Sequence, residues 1–176
     1  MVIGGQAVLI YGEPRLTRDI DITLGADPES LPLLLEAMEA LGLRGLVEEA
    51  PAFVKRTMVL PTQEDETGIR VDFIFSFTPY ERKAIARAVA VKVGKASVRF
   101  AALEDVIIHK MIAGRPRDLE DVRSMLLRNP VFDLDYTEGV LAEFDRTLKG
   151  NYRKQFGKLF REAVAKSVYQ AIENQG

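Results

Sequence analysis

RLTRDIDITL, residues Arg15 to Leu24, decides how the rest of the chain is read. Ile20, Ile22 and Leu24 alternate with Asp19, Asp21 and Thr23, the period-two pattern of a strand with one apolar face. Aspartate is among the residues most depleted from strands, and here two of them share a face. Side chains two apart on a strand project from the same side, so these carboxylates repel unless something positive sits between them. A divalent cation turns that repulsion into shared attraction. With oxygen donors alone the matching ion is Mg²⁺, which takes one or two carboxylates together with substrate phosphates. Taken by itself, a D-x-D pair is better explained as an exposed acidic strand face.

A third carboxylate shifts the balance. Asp72 lies in IRVDFIFSF, residues 69 to 77, the most strand-like run in the chain. Val71, Phe73, Phe75 and Phe77 share one face of it, with Asp72, Ile74 and Ser76 on the other. An aspartate among so much apolar surface is costly unless paired or metal-bound. If this strand lies beside Asp19–Leu24, the three carboxylates converge, and Asp72 can also serve as general base towards a hydroxyl. The alternative is a salt bridge from Asp72 to Arg15, Arg18 or Arg70.

Upstream, Gly4-Gly5 precedes a short helix expected over Gln6–Tyr11, which Gly12-Glu13-Pro14 ends. Glycines at that place leave backbone N–H groups open to an anion at a helix N-terminus. Alone, the pair is a turn. Neither a G-x-x-x-x-G-K-[ST] loop nor a G-x-G-x-x-G fingerprint is present.

Working outward, Ser30–Leu41 carries apolar residues at helical spacing and stops before Gly42. Phe53–Leu60 and Ile69–Phe77 read as strands around a polar loop, Gln63–Gly68. Pro79–Val89 reads as a helix, and Val89–Val93 with Ser97–Phe100 as a hairpin around Gly94-Lys95. Four helices follow, over 103–113, 116–127, 136–148 and 152–172, separated by Gly114, Asn129-Pro130 and Gly150-Asn151. Strands come first and helices last, without steady βαβ alternation. The expected class is therefore α+β. The expected division is a core over residues 1–102 and a helical region over 103–176 packed on it.

The composition is that of an ordinary globular protein: 176 residues, 47% hydrophobic and 28% charged. No cysteine is present, so disulfides and thiolate metal sites are excluded. That fits a reducing cytoplasm. No apolar run reaches the roughly 20 residues that span a bilayer, and MVIGGQAVLIYGEP does not resemble a signal peptide. A formal net charge of −2 argues against a general polyanion-coating protein. The cations nevertheless concentrate at Arg82–Arg117 and Asn151–Lys166, a distribution that suits a phosphate-bearing ligand as well as an ordinary solvated surface.

GGQAVLIYGEPRLTRDIDITL resembles the active-site signature of the DNA polymerase β-type nucleotidyltransferase superfamily: a G-[GS] turn, a short helix, an hDhDh strand, and a third Asp on a later strand. LEDVIIHKMIAGRPRDLEDV, residues 103–122, resembles a second block. Small prokaryotic nucleotidyltransferase-like proteins share it, among them nucleotidyltransferase toxins of abortive-infection toxin–antitoxin systems. The resemblance implies a small mixed-sheet core and a two-metal phosphoryl-transfer site. Asp19, Asp21 and Asp72 would ligate two Mg²⁺ ions, with Asp72 also aligning or activating the acceptor hydroxyl. Gly4 and Gly5 would hold the β- and γ-phosphates of a nucleoside triphosphate, and Arg15, Thr17 and Lys110 would complete nucleotide binding. Arg15 otherwise braces a carboxylate, and Lys110 otherwise reads as an exposed helical lysine.

The implied reaction attaches a nucleoside monophosphate to an acceptor hydroxyl and releases pyrophosphate. A tRNA end, a protein hydroxyl or a small molecule such as an antibiotic all present that nucleophile, and the oligomeric state is open. A catalytically silent module of the same fold is the alternative. Asp118 and Asp121 either orient Lys110 or cap the following helix. Two departures stand out. The family often has Ser where this chain has Gly5. It also has a helix before the first strand, whereas this chain opens at MVIGG; either the true start lies further upstream, or another element covers that edge, which uncovered would be a hazard.

Overall fold

A computed structural model of the protein describes residues 1–76 and 78–173, with side chains described for 1–76 and 78–166. Two compact units divide the chain. One comprises Met1–Ala7 and Leu16–Ala102; the other comprises Val8–Arg15 and Leu103–Gly176.

The first unit is built on a seven-stranded mixed sheet. Its strands are β1 (Val2–Ile3), β2 (Asp19–Leu24), β3 (Leu43–Gly45), β4 (Val59–Glu64), β5 (Arg70–Phe75), β6 (Val89–Val93) and β7 (Ala96–Phe100). They lie in the order β3-β4-β5-β2-β1-β7-β6. The class is α+β. β2 and β5 are parallel neighbours, paired Asp19 to Arg70, Asp21 to Asp72 and Leu24 to Phe75. β4 runs antiparallel to β5, so the two form a hairpin closed over Asp65–Gly68. The edge expected to need cover is paired. β1 bonds antiparallel to β2 on one side and parallel to β7 on the other.

The apolar strand faces build the core of this unit. Val71, Phe73 and Phe75 pack with Leu60, Val54, Leu31 and Met38, and Ile20, Ile22 and Leu24 lie against them. The alternation read from the sequence thus points the hydrophobic side of β2 and β5 inward and the aspartates of both to the other face. Thr62, buried on β4, donates its hydroxyl to Val71 O at 2.7 Å, satisfying a polar group that burial would otherwise penalise. Phe77, expected at the end of β5, lies outside the described residues.

Three helices complete the unit: α2 (Leu31–Ala40), preceded by a 3-10 turn over Pro28–Ser30, α3 (Ala50–Thr57) and α4 (Pro79–Arg87). α4 opens with a capping box. Thr78 accepts from Glu81 N, and the Glu81 carboxylate accepts from Thr78 N. α3 corrects the reading of Phe53–Leu60 as one strand. Its first part is helical, and Met58, at φ 61°, ends the helix through Met58 N→Val54 O before β4 begins. β3 is a further strand that its three residues were too few to signal.

Helix α1 (Gly4–Tyr11) starts two residues earlier than its pattern suggested, so both glycines belong to its first turn. The division between the units falls between its Ala7 and Val8. The second unit is otherwise helical: α5 (Leu103–Ala113), α6 (Pro116–Arg128), α7 (Leu134–Leu148) and α8 (Tyr152–Glu173). Gly114 at φ 63° and Pro116 at the start of α6 force the break between α5 and α6. Ile107, Ile108, Met111, Val122, Met125, Leu141 and Phe156 are fully buried and form the centre of this bundle. Among the described residues no helix is long and apolar enough to cross a membrane.

Candidate active site

The register of β2 and β5 builds the site. Asp19 and Asp21 alternate with inward-facing isoleucines, and the parallel pairing sets Asp21 beside Asp72 and Asp19 beside Arg70. Four side chains, three anionic and one cationic, therefore occupy one patch of one sheet face, on strands about 4.8 Å apart.

The Arg70 guanidinium donates from Nε to Asp72 Oδ1 at 2.9 Å. Its side chain is 53% exposed while that of Asp72 is 17% exposed, so the pair reaches from solvent into the patch. The surrounding charge strengthens the hold of Arg70 on its proton. The hydrogen bond and charge of Asp72 contribute most, and the charges of Asp19 and Asp21 add to them. Thr17, in the segment feeding β2, points its hydroxyl at Asp19, 3.2 Å from Oδ1 and 3.3 Å from the backbone oxygen.

Gly4 closes the patch from the side of β1. Ile3 pairs with Asp21, which brings the next residue over the Asp21 side chain. A Cβ on Gly4 would lie 1.9 Å from Asp21 Oδ2, and Gly4 has φ +62°. Glycine is needed here for both reasons, since only it avoids the left-handed penalty and leaves room for the carboxylate. Gly4 and Gly5 form the first turn of α1, where backbone N–H groups have no intrahelical acceptor and the helix dipole is positive.

The donor chemistry of the patch suits Mg²⁺, being oxygen-only and multiply anionic. As the side chains stand, no group of three or more carboxylate or imidazole side chains among the described residues is arranged to hold a metal ion. The salt bridge to Arg70, foreseen as one of three alternatives for Asp72, is formed.

Arg15 and Lys110 belong to the second unit, where they share one ionic network, Lys110 buried and Arg15 half-buried. Lys110 Nζ lies 2.7 Å from Asp118 Oδ1 and 3.0 Å from Asp121 Oδ2. Arg15 binds Asp121 with two parallel bonds, Nε to Oδ1 at 2.9 Å and Nη2 to Oδ2 at 3.0 Å. Asp118 and Asp121 stand three apart on α6 and so face the same way. Both roles considered for Asp118 are realised. One oxygen holds Lys110, and the other accepts from Arg115 N at 3.2 Å at the start of the helix. Lys110 is buried, which rules out the exposed helical lysine that its sequence also allowed. Asp105, fully buried and bonded by Tyr136 Oη at 2.8 Å, had no signal in the sequence because its partner lies 31 residues away.

Solved structures with the same fold include an antigenic nucleotidyltransferase-like protein from Paracoccidioides brasiliensis, at TM-score 0.53 and 13% identity, covering 91% of this chain and 83% of that one. The antibiotic-resistance factor ANT(2'')-Ia matches at TM-score 0.50 and 17% identity over 99% of this chain and 85% of that one. No curated protein sequence matches. The fold is that of a nucleotidyltransferase. The chain belongs to the family described as nucleotidyl transferase AbiEii toxin of type IV toxin–antitoxin systems, whose model matches residues 2–174. It is a nucleotidyltransferase.

Proposed function

We propose that the protein transfers a nucleoside monophosphate from a nucleoside triphosphate to an acceptor hydroxyl, with Asp19, Asp21 and Asp72 as the catalytic carboxylates that bind two Mg²⁺ ions. The observation that carries this reading is the register placing Asp21 beside Asp72, one pleat from Asp19, under Gly4. When bound, divalent ions neutralise phosphate charge and stabilise the attacking and leaving oxygens of an in-line displacement.

The residues themselves then have distinct tasks. Asp19 and Asp21 fix the anionic floor on which the triphosphate is oriented. Asp72 orients the acceptor and accepts the hydroxyl proton on its carboxylate as the new O–P bond forms at the α-phosphorus. The bond between the α-phosphorus and the bridging oxygen breaks, pyrophosphate leaves with that electron pair, and the proton passes to solvent. Gly4 and Gly5 offer backbone N–H groups to the β- and γ-phosphates. Thr17 steadies Asp19.

Membership of the toxin family supports a role in a toxin–antitoxin pair. The acceptor is then a cellular component, whether tRNA, protein or small molecule, and the site of action is the cytoplasm. Incubation with labelled triphosphates, Mg²⁺ and total cell extract, followed by identification of the labelled species, tests the reaction. Asp19→Asn and Asp21→Asn are each expected to lower labelling by about 10²–10³-fold, the scale on which loss of charge stabilisation acts. Expression of the wild-type chain is expected to arrest growth and that of Asp19→Asn to relieve the arrest. Labelling that survives both substitutions overturns the reading.

A further inference from the structure

We propose that Arg70 is a resident counter-cation of the acidic patch: it holds Asp72 while no divalent ion is bound and yields it when the ion binds. The inference rests on the reading of Asp19, Asp21 and Asp72 as metal ligands.

Three observations carry it. The first is placement. Arg70 is two residues before Asp72 on the same strand, hence on the same face, and is the cross-strand neighbour of Asp19. It makes the fourth corner of a block whose other corners are all carboxylates. The second is commitment. Arg70 Nε bonds Asp72 Oδ1 at 2.9 Å, and its guanidinium makes no other hydrogen bond among the described residues. The third is how the acids stand. The block supplies three carboxylates on neighbouring positions, yet no set of three among the described residues is arranged to hold a metal.

One carboxylate of the set is thus occupied by an internal cation. Three carboxylates on adjacent positions repel one another, and the Arg70 charge offsets part of that repulsion. A guanidinium half in water is a suitable temporary partner, since it matches a carboxylate in shape and loses little on release. A divalent ion brings twice the charge and can take several oxygens at once. Exchange therefore trades a one-oxygen contact for a shared one. It also frees the Arg70 donors for other anions.

The test compares the full-length wild type with Arg70→Ala and Arg70→Lys. Binding of Mg²⁺ and Mn²⁺ without nucleotide is measured by calorimetry and by the rise in Tm. Arg70→Ala is expected to bind the ions about fivefold more tightly, the worth of one partly exposed ion pair, with a lower Tm than wild type before metal and a larger rise on adding it. Arg70→Lys, which keeps the charge, is expected to stay near wild type. In the wild type, the Arg70 ¹⁵N–Hε resonance is expected to move to the position of a solvated arginine as metal saturates the site. Equal affinities in wild type and Arg70→Ala, or an Hε signal unmoved at saturation, overturn the exchange while leaving the three-aspartate site intact. A wild type that takes up neither ion, with or without a nucleoside triphosphate, overturns that site and the exchange together.

Discussion

At position 4 a methyl group has nowhere to go: the backbone angle is left-handed, and the Asp21 carboxylate stands where Cβ would be. Gly4→Ala is expected to lose about 1–2 kcal/mol to the backbone angle alone. It is also expected to lose labelling activity by more than the fall in stability explains, because Asp21 must shift. Denaturant midpoints and initial rates of the same preparation separate the two effects, and an active Gly4→Ala protein would show that Asp21 tolerates displacement. The sequence announced Gly4 as a turn glycine and the aspartates by their alternation, since both follow from local geometry. It could not choose among Arg15, Arg18 and Arg70 as the partner of Asp72. Arg70 wins because residues two apart on a strand share a face, whereas Arg15 is engaged by Asp121, 106 residues along the chain.

Elements were legible where punctuation was strong and illegible where it was weak. The helices α5 and α6 follow from Gly114 and Pro116, and β2 follows from strict alternation over Asp19–Leu24. α3 was hidden because Phe53–Leu60 is rich in β-formers. The overlooked signal was Pro51, which suits the first turn of a helix. The partnership of α5 with α6 carries its own prediction. Asp118→Ala leaves buried Lys110 with Asp121 alone and removes the acceptor for Arg115 N. A loss of about 3 kcal/mol is expected in urea unfolding. Lys110→Met combined with Asp118→Ala should cost clearly less than the sum of the single changes, the coupling expected of a buried pair. Additive losses would mean that the two residues act separately.

For the whole molecule, the α+β class was readable from the order of strands before helices, but the sheet order was not. Its centre depends on β1, which is only Val2 and Ile3 and falls below any periodicity test. Those two residues have a further consequence. Among the described residues the β6–β7 hairpin has β1 as its sole neighbouring strand in the sheet, joined at Val2 to Phe100 and by Ala101 N→Val2 O at 2.9 Å. The sheet is thus stitched from a broad panel, β3-β4-β5-β2, and a narrow flap, with a two-residue seam between them. Amide hydrogen exchange should find this seam. Ala101 is expected to lose protection well before the β2 and β5 amides, which sit in six-residue ladders, so the flap unzips while the acid-bearing strands stay closed.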